Sequence, residues 1–219
     1  MAAVADERGK SRRRAPKEAR REQLMDATLA VLGRKGFAKT TLADVAEAAG
    51  LSRGIVNFHF ESKEKLLRET LTRLSAEYDA CWRAGLAAAG PRPAERLRAL
   101  LEADLSEALC TPEKLAAWFA FFAESGAREE YRDLCWARDD ALLAAFSGLC
   151  EELETEGAYG YDARRTAMAI YAMEEGLWLR LMLGNGGLER ADALDIALAM
   201  LGTLFPRHFE PDGAVRAAA

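Results

Sequence analysis

The chain has 219 residues, half of them hydrophobic, 30% charged, with a formal net charge of −5. That length holds a small module plus a larger domain, each with a real core. No apolar run approaches the roughly 20 residues of a membrane span and no apolar signal core opens the chain, so a soluble, cytoplasmic protein without a membrane partner is expected. Alanine and leucine dominate and strand-like alternation is nearly absent, which predicts an all-α fold of about nine helices. The charge is uneven: residues 1–65 hold 14 Lys/Arg against 9 Asp/Glu, and residues 66–219 hold 16 against 26. A basic head on an acidic body is expected when only one end meets phosphate. Cys81, Cys110, Cys135 and Cys150 show no paired spacing, and His59 and His208 are the only histidines. A disulfide set and a histidine-rich metal site are excluded, and no cofactor is expected.

Residues 1–16 carry Arg8, Lys10, Arg12, Arg13 and Arg14 before Pro16 and read as a flexible basic arm. Such an arm is either a solvated tail or a source of extra phosphate or minor-groove contacts. A helix over 17–35 follows, with Leu24, Ala27, Thr28, Val31 and Leu32 inward; Gly36 ends it and Phe37 plugs the base of the domain. Next comes TLADVAEAAGLSRGIVNFHFESK, residues 41–63. Leu42, Val45, Ala46 and Ala49 form one apolar helical face, and Thr41 with Asp44 has nearly the spacing of a capping box. Gly50 stops that helix, and Ser52 caps a second whose Ile55 is expected to pack back onto the first, with Leu51 and Phe60. Two short helices around a tight glycine turn form a helix-turn-helix, whose second helix enters the DNA major groove.

The run Ser52-Arg53-Gly54-Ile55-Val56-Asn57-Phe58-His59-Phe60, continued by Glu61-Ser62-Lys63-Glu64-Lys65-Leu66-Leu67, resembles the DNA-binding domain of the TetR family of transcriptional regulators. The resemblance covers residues 17–70 and departs at Asn57, where most members carry tyrosine. It implies that Ser52 opens the recognition helix, that Arg53 and Asn57 face the groove, that His59 contacts the backbone and that Lys63 grips a phosphate. Independently, Arg53 suits a guanine edge and Asn57 an adenine edge. Gly54 permits close approach, and Thr40 and Thr41 offer hydroxyls and helical N–H groups to a phosphate. The DNA-binding domain is therefore placed at 17–65.

Beyond it, helices are expected over 62–90, 93–109, 111–126, 128–156, 162–183 and 189–205. They form a ligand-binding and dimerisation domain over 66–209, followed by a loose tail over 210–219. Residues 113–125 (EKLAAWFAFFAES), 174–180 (EEGLWLR) and Tyr131-Arg132-Asp133-Leu134 resemble the choline-responsive BetI type within the family. Tyr171, Glu174 or Glu175, and Trp178 share one helical face, and Trp118 and Phe122 lie one turn apart. Facing helices of this kind make an aromatic box with a carboxylate at its mouth, suited to a quaternary ammonium, with Trp136 as a weaker wall. Aromatic residues at this spacing also make ordinary core, so the small-molecule effector stays open. Of the two acids Glu175 is preferred, because the BetI type carries an acid before Gly176-Leu177-Trp178.

Small and apolar residues of the last two helices, Ala167, Ala169, Gly176, Leu177, Leu181, Ala197, Ala199, Met200 and Leu204, form the expected homodimer surface. A palindromic double-stranded operator follows from the two-fold axis. An all-α enzyme is the alternative class, against which stands the lack of a nucleophile–histidine pair. No catalytic residue is expected.

Overall fold

A computed structural model describes the backbone of residues 3–126, 128–184 and 186–217, and side chains from residue 17 onward apart from those gaps. Among the described residues the fold is all-α. Its helices are α1 (Ala3–Lys39), α2 (Leu42–Ala48), α3 (Arg53–His59), α4 (Lys63–Ala88), α5 (Pro93–Asp104), α6 (Pro112–Ser125), α7 (Glu129–Gly157), α8 (Ala163–Leu183) and α9 (Arg190–Leu204). The bounds of α1 take in the segment expected as a loose arm, whose side chains lie outside the described residues. The chain divides into two compact units, Met1–Arg73 and Leu74–Ala219.

The first unit is built around Leu24, Met25, Ala27 and Val31 of α1, Val45 and Ala46 of α2, Val56 of α3, Phe60 and Leu66. Gly36, at φ 73°, breaks α1 and lets the buried Phe37 close the base. The capping box of α2 is complete: the Asp44 N–H donates to Thr41 Oγ1 at 3.2 Å and the Thr41 N–H to Asp44 Oδ2 at 3.0 Å. The unit ends eight residues later than the expected boundary, because the first turns of α4 belong to it. Leu66 lies in its core, and Arg73 pairs with Glu22 and Asp26 of α1 at 2.7 Å each.

One core expectation is corrected here. Ile55 is 36% exposed, and Val56 takes the inward place instead. Phe60 is buried, and Val56 lies about 40° from it round the helix, against about 140° for Ile55.

In the second unit α7 packs along α8 and also meets α5 and α6, burying Leu97, Leu100, Leu142, Phe146 and Ile170. Its helix starts carry the expected signals. The Thr111 hydroxyl caps α6 ahead of Pro112, and Asp162 Oδ1 accepts the Arg165 N–H at 2.9 Å. The tail is not loose as far as residue 217. Gly213, at φ 80°, turns the chain back so that Phe209 bridges Val215, and the Arg98 guanidinium donates to the Gly213 carbonyl at 3.0 Å.

Candidate DNA-reading and effector sites

In the first unit Val56 and Phe60 turn α3 inward, which leaves Ser52, Arg53, Gly54 and Asn57 exposed. Arg53 and Asn57 stand one turn apart on this outer side. A Cβ on Gly54 would meet nothing nearer than Ser52 Oγ at 3.8 Å, so the chain's own packing does not demand glycine there. Two residues of this helix were missed as surface: Phe58 is 75% exposed, and Ile55 stands out beside it. The signal was available, since Phe58 lies two positions from the inward Phe60, about 200° round a helix.

The phosphate candidates divide. Thr40 is buried, with its hydroxyl donating to the Gly36 carbonyl at 2.8 Å, so it presents nothing to an outside partner. Gly36 breaks α1, and the Thr40 hydroxyl satisfies its carbonyl. Thr41 is exposed but engaged with Asp44, whose other oxygen takes Lys35 Nζ at 2.6 Å. Hydrogen bonds from Lys35 and Thr41 hold the Asp44 carboxyl below its ordinary range. Lys63 Nζ donates to the Phe37 carbonyl at 3.1 Å, and an ammonium has two further donors. His59 is half-buried, edge-on to Phe58, and its buried Nδ1 has no hydrogen-bond partner. Desolvation first, then the charges of Arg21, Lys17 and Arg20, lower its pKa and keep it neutral at pH 7.

The second unit contains the aromatic box. Trp118 and Phe122 of α6 stack at 5.7 Å, and Tyr78 of α4 meets Trp178 of α8 edge-to-face at 5.7 Å and Trp118 at 6.0 Å. Into these rings α7 sends Arg138, which is only 4% exposed. Its guanidinium carbon lies 4.4 Å from the Trp118 ring centre, 4.7 Å from Tyr78, 5.1 Å from Phe122 and 5.8 Å from Trp178. At such distances each ring contributes about 0.5–2 kcal/mol of attraction for a cation. Arg138 Nη2 donates to the Tyr171 hydroxyl at 2.9 Å and Nε to Asp139 Oδ1 at 2.8 Å; the Tyr171 hydroxyl donates in turn to Asp139 at 2.8 Å.

Trp118, Phe122, Tyr171 and Trp178 are thus brought together, and Tyr78 and Arg138 are additions that sequence reasoning missed. Trp136 is corrected. It is 57% exposed and stands outside under the Arg132 guanidinium, because it lies two residues from the inward Arg138.

Acids of α5 and α8 belong to the same unit. Asp104 is buried, accepts the Tyr78 hydroxyl, and has its pKa raised by burial from 3.8 to about 6. Glu174 is 2% exposed, and neither carboxylate oxygen has a hydrogen-bond partner. Burial first, then the charges of Asp104 and Glu175, raise its pKa well above the ordinary value. Glu175 is half-buried beside Tyr171 and raised by burial and by Asp139.

A separate cavity of about 350 Å³ is lined by Arg92, Glu156, Arg207, His208 and Arg216. It lies among the residues that tie down the C-terminal segment: Arg92 Nη1 donates to the Arg216 carbonyl at 2.6 Å, and Arg216 Nε to the Phe209 carbonyl at 3.1 Å. Among the described residues no group of three or more His, Cys, Asp or Glu side chains could hold a metal ion. No described helix is long and apolar enough to cross a membrane.

Two families match the chain. Residues 24–70 match "Bacterial regulatory proteins, tetR family", and residues 93–206 match "BetI-type transcriptional repressor, C-terminal". The chain is 35% identical to the HTH-type transcriptional regulator BetI of Paraburkholderia phymatum over 83% of its own length and 90% of that protein. The chain belongs to the TetR family. Its larger part is of the BetI type, and a family of DNA-binding regulators makes it a regulator rather than an enzyme.

Solved structures agree on the fold. A transcriptional regulator of Pseudomonas aeruginosa PAO1 superimposes with TM-score 0.73 at 28% identity, covering 86% of this chain and 91% of that one. A regulator of Saccharomonospora viridis in complex with choline superimposes with TM-score 0.72 at 22% identity, covering 83% and 94%.

The two helices expected to pair TetR-type subunits need a change of residues. Ala167, Leu177 and Ala197 are buried in the chain's own core and cannot face a second copy. The large apolar side chains left exposed there are Met168, Leu179 and Leu183 on α8 and Ile196 and Met200 on α9. On each helix they fall within about 60° of one another.

Proposed function

We propose that this TetR-family chain is a homodimeric repressor that binds a palindromic operator through α3 and releases it on binding a small quaternary ammonium such as choline. The observation that carries the ligand reading is the buried box, where four aromatic faces surround a cation; the same unit buries Glu174 with no hydrogen-bond partner. A quaternary ammonium cannot donate hydrogen bonds through its head group, so ring faces and nearby carboxylates are what recognise it. The relatives support the reading: the similar curated proteins are BetI regulators, and one fold neighbour holds choline. Effector binding lowers operator affinity by the coupling energy between the two sites.

Glu174 replaces Glu175 as the preferred counter-charge, since it is the deeper acid and lacks a partner. Glu174→Gln keeps the shape and removes the ionisable group. It should weaken choline binding at least tenfold in calorimetric titration and leave operator binding without choline unchanged. If choline and betaine aldehyde neither bind nor release DNA at millimolar concentration, the ligand reading falls and the repressor reading stands.

On DNA, Arg53 and Asn57 read base edges, Lys63 holds a phosphate, and the open side of Gly54 allows the helix backbone close to the groove. Ile55 and Phe58 are suited to thymine methyl groups. On an operator selected from random DNA, with half-sites about one turn apart, Arg53→Ala should cost about 1–3 kcal/mol and relax base preference. Lys63→Ala should weaken all sequences alike and flatten the salt dependence. Fluorescence anisotropy separates the two patterns, and equal loss of Arg53→Ala binding on every sequence would remove Arg53 from base reading.

A further inference from the structure

We propose that Arg138 is the resident cation of the aromatic box: its guanidinium holds the place an effector's cationic head would take, so an effector binds only by driving Arg138 off the rings. This rests on the reading of the box as the effector site and adds the residue that sets its selectivity.

Three observations carry it. The first is position. The Arg138 guanidinium lies over the rings of Trp118, Tyr78, Phe122 and Trp178 at 4.4–5.8 Å, where a second cation cannot stand beside it without strong repulsion. The second is incomplete satisfaction. Buried arginines that only hold a fold together have their donors paired, yet Arg138 Nη1 has no hydrogen-bond partner. Its ion-pair partner, Asp139, is the next residue on the same helix, so the ion pair itself spans no helices, and both members hydrogen-bond to α8 at the Tyr171 hydroxyl. The hold across helices comes from the rings and from one bond to Tyr171. The third is charge. Asp139 pairs with Arg138, Asp104 and Glu175 feel its charge, and Glu174, next to Glu175 on α8, keeps both oxygens unpaired. Asp104 and Glu174, held toward their neutral forms by burial, can ionise to balance an incoming cationic head.

Removing the competitor should therefore improve the box. Arg138→Met retains an unbranched apolar stem without charge. Followed by tryptophan fluorescence, it should bind tetramethylammonium and choline at least tenfold more tightly than wild type. Arg138→Ala leaves a guanidinium-sized space beside four rings, so millimolar ethylguanidinium or tetramethylammonium should raise its melting temperature by several degrees and leave wild type unmoved. Should Arg138→Ala fail to fold alone, its folding upon addition of either cation is the same result.

The outcomes separate the two claims. If wild type ignores choline while Arg138→Ala takes up ethylguanidinium, the resident cation stands and the choline reading falls. If choline binds wild type and Arg138→Met equally and neither cation stabilises Arg138→Ala, the resident-cation proposal is overturned and the effector box survives.

Discussion

Leu179→Glu combined with Ile196→Glu should convert a dimer into monomers and lower operator affinity by about 10²–10⁴-fold, the gain that linking two binding modules provides. The choice of positions follows from exposure. Leu179 and Ile196 are water-facing in the single chain, so a glutamate at either costs the folded monomer little. In a subunit interface the same carboxylates would be buried without partners, which association cannot tolerate. The buried Leu177 is a poor choice for the opposite reason: a charge there would damage the chain's own core, and loss of DNA binding would say nothing about assembly. Sedimentation velocity and anisotropy on the same samples should show mass and operator affinity falling together, with weak single-head binding to a half-site preserved. A wild type that sediments as a monomer at micromolar concentration would remove both the dimer and the palindrome.

Much of this fold was legible because local signals agreed. Thr41 with Asp44, Gly50, Thr111-Pro112 and Asp162 mark helix ends by hydrogen bonding and backbone freedom alone, and those ends fall within a residue or two of expectation. The C-terminal turn was equally legible in Pro211-Asp212-Gly213, although the tail was expected to be loose.

The box was half legible. Its rings share helical faces, whereas its charged members look like solvent-facing residues in any composition count. Their register betrays them. Arg138 stands seven residues after Tyr131 and four before Leu142, both buried; Asp104 stands four after Leu100; Glu174 stands four after Ile170 and four before Trp178. A charge set into an apolar stripe is the signal of a buried polar site. What register cannot supply is the meeting of α4, α5, α6, α7 and α8 at one place, which pairs Tyr78 with Asp104 and Arg138 with Tyr171.

Those buried acids make stability fall, not rise, as the solution moves from acid to neutral pH. Burial carries the Asp104 pKa from 3.8 to about 6, against the opposing pull of the Tyr78 hydroxyl and the Arg138 charge, with Glu175 pushing it further up. Between these values the unfolded chain has released a proton that the folded chain retains, so the slope of unfolding free energy with pH is negative. The loss begins near pH 4, is complete above pH 6, and amounts to about 3 kcal/mol for this one group. Glu174, raised in the same direction, carries the decline to higher pH. Asp104→Asn keeps an oxygen for the Tyr78 hydroxyl and abolishes the titration. Urea unfolding at pH 5 and pH 7.5 should therefore show the wild type losing about 1.4 kcal/mol more than the variant across that interval, the part of the loss that remains above pH 5. The same linkage reaches the effector, because a permanent cation beside Asp104 and Glu174 favours their ionised forms. Choline binding at pH 6 should expel protons, read as a calorimetric heat that changes with the ionisation enthalpy of the buffer. Identical pH profiles for wild type and Asp104→Asn would show that this acid is not held protonated, and with it would go the proton release.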